Sequence, residues 1–223
     1  MRVSIAYSNL NVKIAGAHAG ISVGPDGATH QGCEDIAIMR VLPNFVVLAP
    51  CDFEETRKAT LWAAKHKGPV YFRFLRVRTP VITSQKTSFE VGKALVFREG
   101  TDVTIIACGQ MVYEALMAAR NLYKQKISAR VVNCHTIKPI DKEAIVKAAR
   151  ETGAIVTAEE HQIIGGLGSA VAEVLAEHCP VPMERIGLRD TFGESGEPEE
   201  LLVKYHMKAV DIENAVRKVL RRK

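Results

Sequence analysis

The sequence predicts an α/β fold built on doubly wound, mostly parallel sheets, and three observations carry that expectation. Short apolar runs of strand length recur along the chain, each followed by a stretch with the period of an amphipathic helix. Strands that alternate with helices make parallel sheets, because a parallel crossover needs a long connection to bring the chain back. One stretch, Arg76 to Ser88, breaks the alternation with Pro80, several Ser and Thr residues and no amphipathic period. It reads as a linker that divides the chain into residues 1–80 and 81–223.

In order, Val12 to Gly16 is apolar enough to be a buried strand, and a glycine-rich loop, His18 to Gln31, leaves it. Cys33 to Val41 has Ile36 and Met39 in a helical pattern that Pro43 ends, since the residue before proline is pushed out of the helical region. Phe45 to Ala49 is a second strand. Asp52 followed by Glu55 is a capping-box-like start for a helix from Phe53 to His66, with Ala59, Trp62 and Ala63 on its apolar face. Gly68-Pro69 stops it, and Val70 to Leu75 is a third strand. Beyond the linker come strands at Val103 to Ala107, Ala129 to Asn133, Ala154 to Ala158 and Met183 to Gly187. Between and after them lie helices at Met111 to Tyr123, Lys142 to Arg150 with Asp141 as N-cap, Gly166 to His178, and Ala209 to Leu220.

Composition narrows the function classes. The 223 residues are 47% hydrophobic and 25% charged, ordinary for a globular protein, and no apolar run approaches the ~18 residues of a membrane span. With no leader-like start, the chain reads as cytoplasmic, with no membrane partner. The net charge of +5 is modest and gathers at Arg217, Lys218, Arg221, Arg222 and Lys223, at the end of a predicted helix where cations suit the dipole. No basic stripe interleaves with aromatics, so no nucleic-acid partner is expected. The five cysteines, Cys33, Cys51, Cys108, Cys134 and Cys179, are odd in number and form no CxxC pair, which argues for reduced core thiols.

Chemistry concentrates in the loop His18 to Gln31. Two histidines, His18 and His30, bracket Asp26, while Gly20, Gly24 and Gly27 supply backbone freedom. In an open parallel sheet, ligands bind beyond the carboxyl ends of the strands, where this loop lies. Imidazoles there can donate to, accept from or exchange protons with hydroxyl and carbonyl oxygens near neutral pH. His66, His135, His178 and His206 stand alone and read as surface or structural residues. A zinc site made of His18, Asp26 and His30 is disfavoured, because the 12-residue gap between the histidines is not a recognised spacing. Arg73 and Arg76 follow the third strand, where a guanidinium suits a phosphate as well as solvent. Gly165-Gly-Leu-Gly168 enters a helix without GxGxxG spacing, so close helix-sheet packing is favoured over anion binding.

These residues resemble the transketolase family. The resemblance rests on Gly27-Ala-Thr-His-Gln31 within the loop, Leu42-Pro-Asn, Pro50-Cys-Asp and Gly68-Pro-Val-Tyr. It continues through Thr136-Ile-Lys-Pro, Glu159-Glu-His, Gly165-Gly-Leu-Gly-Ser-Ala and Phe192-Gly-Glu-Ser-Gly196, so it covers nearly the whole chain. It is nearest to the C-terminal subunit of the split bacterial and archaeal form. The resemblance implies that residues 1–80 are the C-terminal part of a thiamine-diphosphate-binding (pyrimidine) domain. It also implies that 81–223 are the transketolase C-terminal domain, whose role in the family is mostly structural.

The family moves a two-carbon ketol unit between sugar phosphates in the pentose phosphate pathway, using thiamine diphosphate and Mg2+. By position, the resemblance makes His18 and His30 the catalytic histidines at the substrate's oxygens. It makes Asp26 the acceptor of a substrate hydroxyl, and gives the sugar phosphate to Arg76 or, less directly, Arg73. The cofactor-binding glutamate and aromatics lie in an earlier segment of the family's domain; residues 1–17 contain no acid, and Tyr7 is their only aromatic. The diphosphate and metal motif belongs to a separate N-terminal subunit. The chain alone is therefore expected to be inactive, to bind no cofactor or metal by itself, to partner an N-terminal transketolase subunit, and to form a homodimer or higher oligomer. Two other readings stand beside this one. One is a 1-deoxyxylulose-5-phosphate synthase-like or 2-oxoacid dehydrogenase beta-like subunit, although the synthase has an acidic residue where this chain has His18. The other is a non-catalytic assembly module.

Overall fold

Two sheets and seven helices organise residues 1–223, all of which the computed structural model describes. The strands are β1 (Lys13–Gly16), β2 (Val46–Leu48), β3 (Val70–Arg73), β4 (Leu95–Arg98), β5 (Val103–Ala107), β6 (Ala129–Asn133), β7 (Thr136–Lys138), β8 (Ile155–Gln162) and β9 (Met183–Leu188). The helices are α1 (Asp35–Arg40), α2 (Phe53–Lys65), α3 (Met111–Lys124), α4 (Lys142–Thr152), α5 (Leu167–His178), α6 (Pro198–Lys204) and α7 (Ala209–Leu220). A π-helical turn, Arg2–Tyr7, opens the chain.

The first sheet runs β1-β3-β2-β7 and the second β4-β6-β5-β8-β9. All pairings are parallel except β7 on β2 and β4 on β6, so each sheet carries one antiparallel edge. The central strand β5 is buried along its whole length because both faces of its sheet are covered. Val103, Ile105 and Ala107 of β5 pack with α3 and α7 in one core, while Ile106 points into the other. This is the period-two alternation of a strand between two layers.

Local chemistry sets the helix ends. Asp52 caps α2 by accepting from Glu55 N at 3.0 Å. The same buried carboxylate accepts from Ile82 N, Thr83 N and the Thr83 hydroxyl at 2.6–2.7 Å, which moors the stretch after Arg76 to α2. Asp141 caps α4 as expected, accepting from Ala144 N at 3.0 Å. Of α2's expected apolar face, Ala59 and Ala63 are buried and Trp62 is half-buried.

The structure differs from the expectations in four respects. The helix read over Cys33 to Val41 shrinks to α1, Asp35–Arg40. The strand read over Ala154 to Ala158 continues through Glu159, Glu160 and His161 to Gln162, because these polar side chains are buried and hydrogen-bonded rather than solvated. β4, β7 and α6 are elements the periodicity did not reveal. Most consequentially, β7 comes from the later half of the chain yet completes the first sheet. One core joins Ile36, Met39, Phe45 and Val47 to Ile106, Val132, Ile145 and Leu167, so the segments before and after Arg76 pack as one unit.

Candidate functional site

The loop after β1 is pinned at both ends. Ala19 N donates to Phe74 O at 3.0 Å and Gly20 N to Gly32 O at 2.7 Å, so entry and exit lie side by side. Between them, Ile21–Asp26 forms a 3-10 segment whose Ile21, Ser22, Val23 and Gly24 are buried. Two glycines are required here. Gly20 has φ +82°, and a Cβ would lie 2.2 Å from Glu160 Oε1; Gly27 has φ +75°, and a Cβ would lie 2.5 Å from Ser195 Oγ. The underside of the loop therefore rests directly on later parts of the chain.

The rim of the loop is exposed and carries His18, Asp26 and His30. His18 takes a left-handed backbone, φ 59°, which turns the chain out of β1. His30 Nδ1 lies 2.9 Å from the Thr29 hydroxyl. Arg76 Nη1 approaches from the stretch after β3, 2.6 Å from Asp26 Oδ2 and 3.3 Å from Val23 O. The Arg76 hydrogen bond holds the Asp26 carboxyl below its usual range, helped by the Arg76 charge and then by those of His30 and His18. The structure thus brings His18, Asp26, His30 and Arg76 to one surface. The two clefts beside it, of about 420 and 340 Å³, are lined by residues such as Phe53, Leu75 and Arg78, and Ser22, Gln110 and Pro198, and include none of the three rim residues. The rim is an open wall.

Arg73, expected less directly than Arg76 as a phosphate ligand, lies inside the protein. Its guanidinium is 5% exposed; Nε donates to both oxygens of Asp35, at 2.9 and 3.2 Å, and Nη2 to Gly32 O and Glu160 O, at 3.2 and 2.7 Å. Tyr71 completes the set, donating to Asp35 Oδ2 at 2.7 Å. Burial by itself raises the Asp35 carboxyl, but the Arg73 charge and hydrogen bond outweigh it and hold the carboxyl low. These donors are committed to the protein, which leaves Arg76 as the arginine facing the loop.

Buried carboxylates support the site from below, and the sequence alone assigned them no role. Glu160 is 2% exposed, and its Oε1 accepts from Ser22 N at 2.6 Å while Oε2 accepts from the Gln110 amide. Burial pushes this carboxyl up. Glu159 accepts from Leu167 N and Gly168 N at 2.7 and 2.8 Å, occupying the N-terminus of α5 with an internal anion. Burial raises its carboxyl to about 7 against those hydrogen bonds. The glycines before α5 serve close packing, since a Cβ at Gly166 would lie 2.0 Å from Glu159 Oε2. A run of acids inside an otherwise apolar strand was the available signal for both. No group of three His, Cys, Asp or Glu side chains in the chain is arranged to hold a metal ion. No helix is long and apolar enough to cross a membrane, and all five cysteines are free.

Comparison with known proteins adds the family. Residues 1–80 match the family model described as transketolase, pyrimidine binding domain, and residues 92–212 the one described as transketolase, C-terminal domain. The chain is 48% identical over 221 residues to a 6-deoxy-6-sulfo-D-fructose transketolase subunit of Clostridium sp. (strain MSTE9), covering 99% of this chain and 69% of that protein. It is 50% identical over 208 residues to a putative transketolase C-terminal section of Methanocaldococcus jannaschii, covering 92% and 65%. A solved structure described as a split gene transketolase, inactive beta4 tetramer, superposes with a TM-score of 0.93 at 51% identity, over 99% of this chain and 70% of that one. The chain thus spans about two thirds of the length of these relatives.

Proposed function

The chain belongs to the transketolase family, and from that premise we propose that it supplies the substrate-side wall of a two-part active site that transfers a two-carbon ketol unit between sugar phosphates. One observation carries the reading: His18, Asp26 and His30 stand exposed on the rim of a loop whose underside is pinned, with Arg76 beside them. In this proposal residues 1–80 are the later part of a pyrimidine-binding domain and 81–223 the C-terminal domain. The whole acts in the cytoplasm as an oligomer with an N-terminal transketolase subunit.

The family normally uses thiamine diphosphate with a divalent metal. The residues present on the rim, two imidazoles, a carboxylate and a guanidinium, fit the hydroxyl, carbonyl and anionic groups of a sugar phosphate. When bound, that cofactor supplies the nucleophilic carbon that carries the two-carbon unit, and we assign its diphosphate and metal to the partner. The part left to this chain is binding and proton handling. His18 and His30 hydrogen-bond the carbonyl and hydroxyl oxygens and take or return the proton on the oxygen that changes charge. Asp26 accepts from the hydroxyl next to the acceptor's aldehyde, so a sugar of the other configuration forfeits that hydrogen bond and Asp26 keeps Arg76 alone. Arg76 holds Asp26 with one nitrogen and has further donors for a phosphate or another anionic terminus. His18 favours this reading over a 1-deoxyxylulose-5-phosphate synthase-like one.

The reading is tested by mixing the chain with its candidate N-terminal partner, thiamine diphosphate and Mg2+. Ketol transfer from xylulose 5-phosphate, fructose 6-phosphate and 6-deoxy-6-sulfofructose is then followed, both for this chain and for a form lengthened to the extent of its relatives. Transfer by a mixture and by neither component alone is the expected result. Thiamine-independent assembly with no transfer to any acceptor from any donor supports the assembly-module reading instead.

A further inference from the structure

Gln31 closes the loop that presents the rim residues, and it does so with atoms from the far end of the chain. Its side chain is 6% exposed, and its Nε2 donates to Ile21 O at 3.1 Å and to Glu194 O at 2.8 Å. Ile21 begins the 3-10 segment and Gln31 ends the loop, so the first bond staples the two arms and the second fastens them to the segment Phe192–Gly196. That segment follows the loop closely. A Cβ at Gly193 would lie 2.0 Å from Gln31 Oε1, Ser195 Oγ lies 2.5 Å from the Cβ position of Gly27, and Gly196 O lies 3.2 Å from that of Gly24. Both exposed rim groups of the second arm, Asp26 and His30, lie between these points of contact.

We propose that Gln31 is a positioning residue, and that the segment Phe192–Gly196 serves the reaction by clamping the loop through it, so that His30 and Asp26 meet substrate in one fixed geometry. This gives the C-terminal half a share in the chemistry although it places no side chain on the rim. It rests on the proposed ketol-transfer reading for its kinetic consequence, but the clamp itself does not. An amide suits this role because its NH2 supplies two donors to two carbonyls, which a hydrocarbon of the same shape cannot do.

The clamp is tested from both sides, in the complex with the N-terminal partner. Gln31→Met removes the donors at nearly constant volume. Gly193→Ala leaves Gln31 intact but drives a methyl into its Oε1; Gly193 needs no left-handed backbone and lies in a half-exposed segment, so this variant folds. Thr104→Val, which deletes the buried Thr104–Thr152 hydroxyl pair at 2.9 Å within the second sheet, is the control for loss of a buried hydrogen bond. Two readouts are taken. Hydrogen exchange of the peptide spanning 18–31 rises at least about tenfold in both loop variants and not in Thr104→Val. The kcat for ketol transfer falls about 10- to 100-fold in both, as displacing a reacting group by about 1 Å does, with the donor KM changed less than about threefold. Unchanged exchange at 18–31 in Gly193→Ala, or raised exchange with kcat like that of Thr104→Val, overturns the proposal. Raised exchange in a wild-type background that transfers no ketol upholds the clamp and removes the ketol-transfer reading instead.

Discussion

Replacing Arg73 with methionine separates a structural arginine from a substrate-binding one. The substitution removes a buried guanidinium and leaves Asp35 with Tyr71 as its hydrogen-bond donor, and Gly32 O and Glu160 O without their Arg73 donors. Removing one partner of a buried ion pair costs about 3–5 kcal/mol, because the other charge stays out of water. At about 2–4 °C per kcal/mol for a chain of this size, the melting temperature falls by roughly 6–20 °C. Adding Asp35→Asn to Arg73→Met removes the stranded charge, and the double variant regains a good part of that loss. The assay is thermal unfolding followed by circular dichroism, with the KM for the sugar phosphate measured on the same preparations below the transition. A melting temperature within about 2 °C of wild type together with a raised KM refutes the reasoning and returns Arg73 to the phosphate.

Three further outcomes follow from the geometry. Asp26→Ala breaks a solvent-exposed pair and leaves the melting temperature close to that of wild type. It lowers kcat/KM for the acceptor sugar about 10- to 100-fold, the value of a hydrogen bond to a charged group, in steady-state transfer assays. His135 is 1% exposed, stacks on Phe89 at 4.5 Å, and is held by burial at a pKa of about 4. Since the unfolded ring binds its proton from about pH 6.5 downward, its contribution to stability is whole above that pH and is lost towards pH 4. His135→Gln therefore flattens the fall in urea midpoint across that window, where wild type loses on the order of 3 kcal/mol from this ring. Ile137→Ala, at a site 1% exposed in β7, costs about 2–5 kcal/mol by denaturant unfolding although its strand has three residues, because it opens a cavity in the core shared by both halves.

Legibility in the sequence tracked how local each cause is. The helices α2 and α4 could be read because their N-caps, Asp52 and Asp141, act within three residues. The strands around Val103, Ala129 and Ile155 could be read because continuous apolar runs mark burial on both faces. β7 could not, since Thr136–Lys138 begins three residues after β6 ends and pairs with β2, far earlier in the chain. α6 left a weak trace, the proline that starts it after Gly196-Glu197. At the site, the exposed residues His18, Asp26 and His30 stood out by type and spacing, and the structure gathers them. What holds them did not stand out. Glu159 and Glu160 fell beyond the strand read over Ala154 to Ala158 and entered only as part of a motif, Arg73 read as a strand-end cation, and Gln31 read as the tail of a motif. Arg73, Glu160 and Gln31 are defined by partners 38, 138 and 163 residues away.

The central claim, that this chain brings the proton-handling wall of a two-part site, is tested most directly by the rate of ketol transfer in the complex with His30→Ala. It is read beside the complex's assembly by sedimentation and its melting temperature. His30 is exposed and its side chain makes one hydrogen bond, to its neighbour Thr29, so the variant assembles and melts as wild type does. The account predicts a loss of kcat of about 10²- to 10⁴-fold, the range of a positioned acid-base group. An assembled, active complex whose kcat is unchanged by His30→Ala contradicts it.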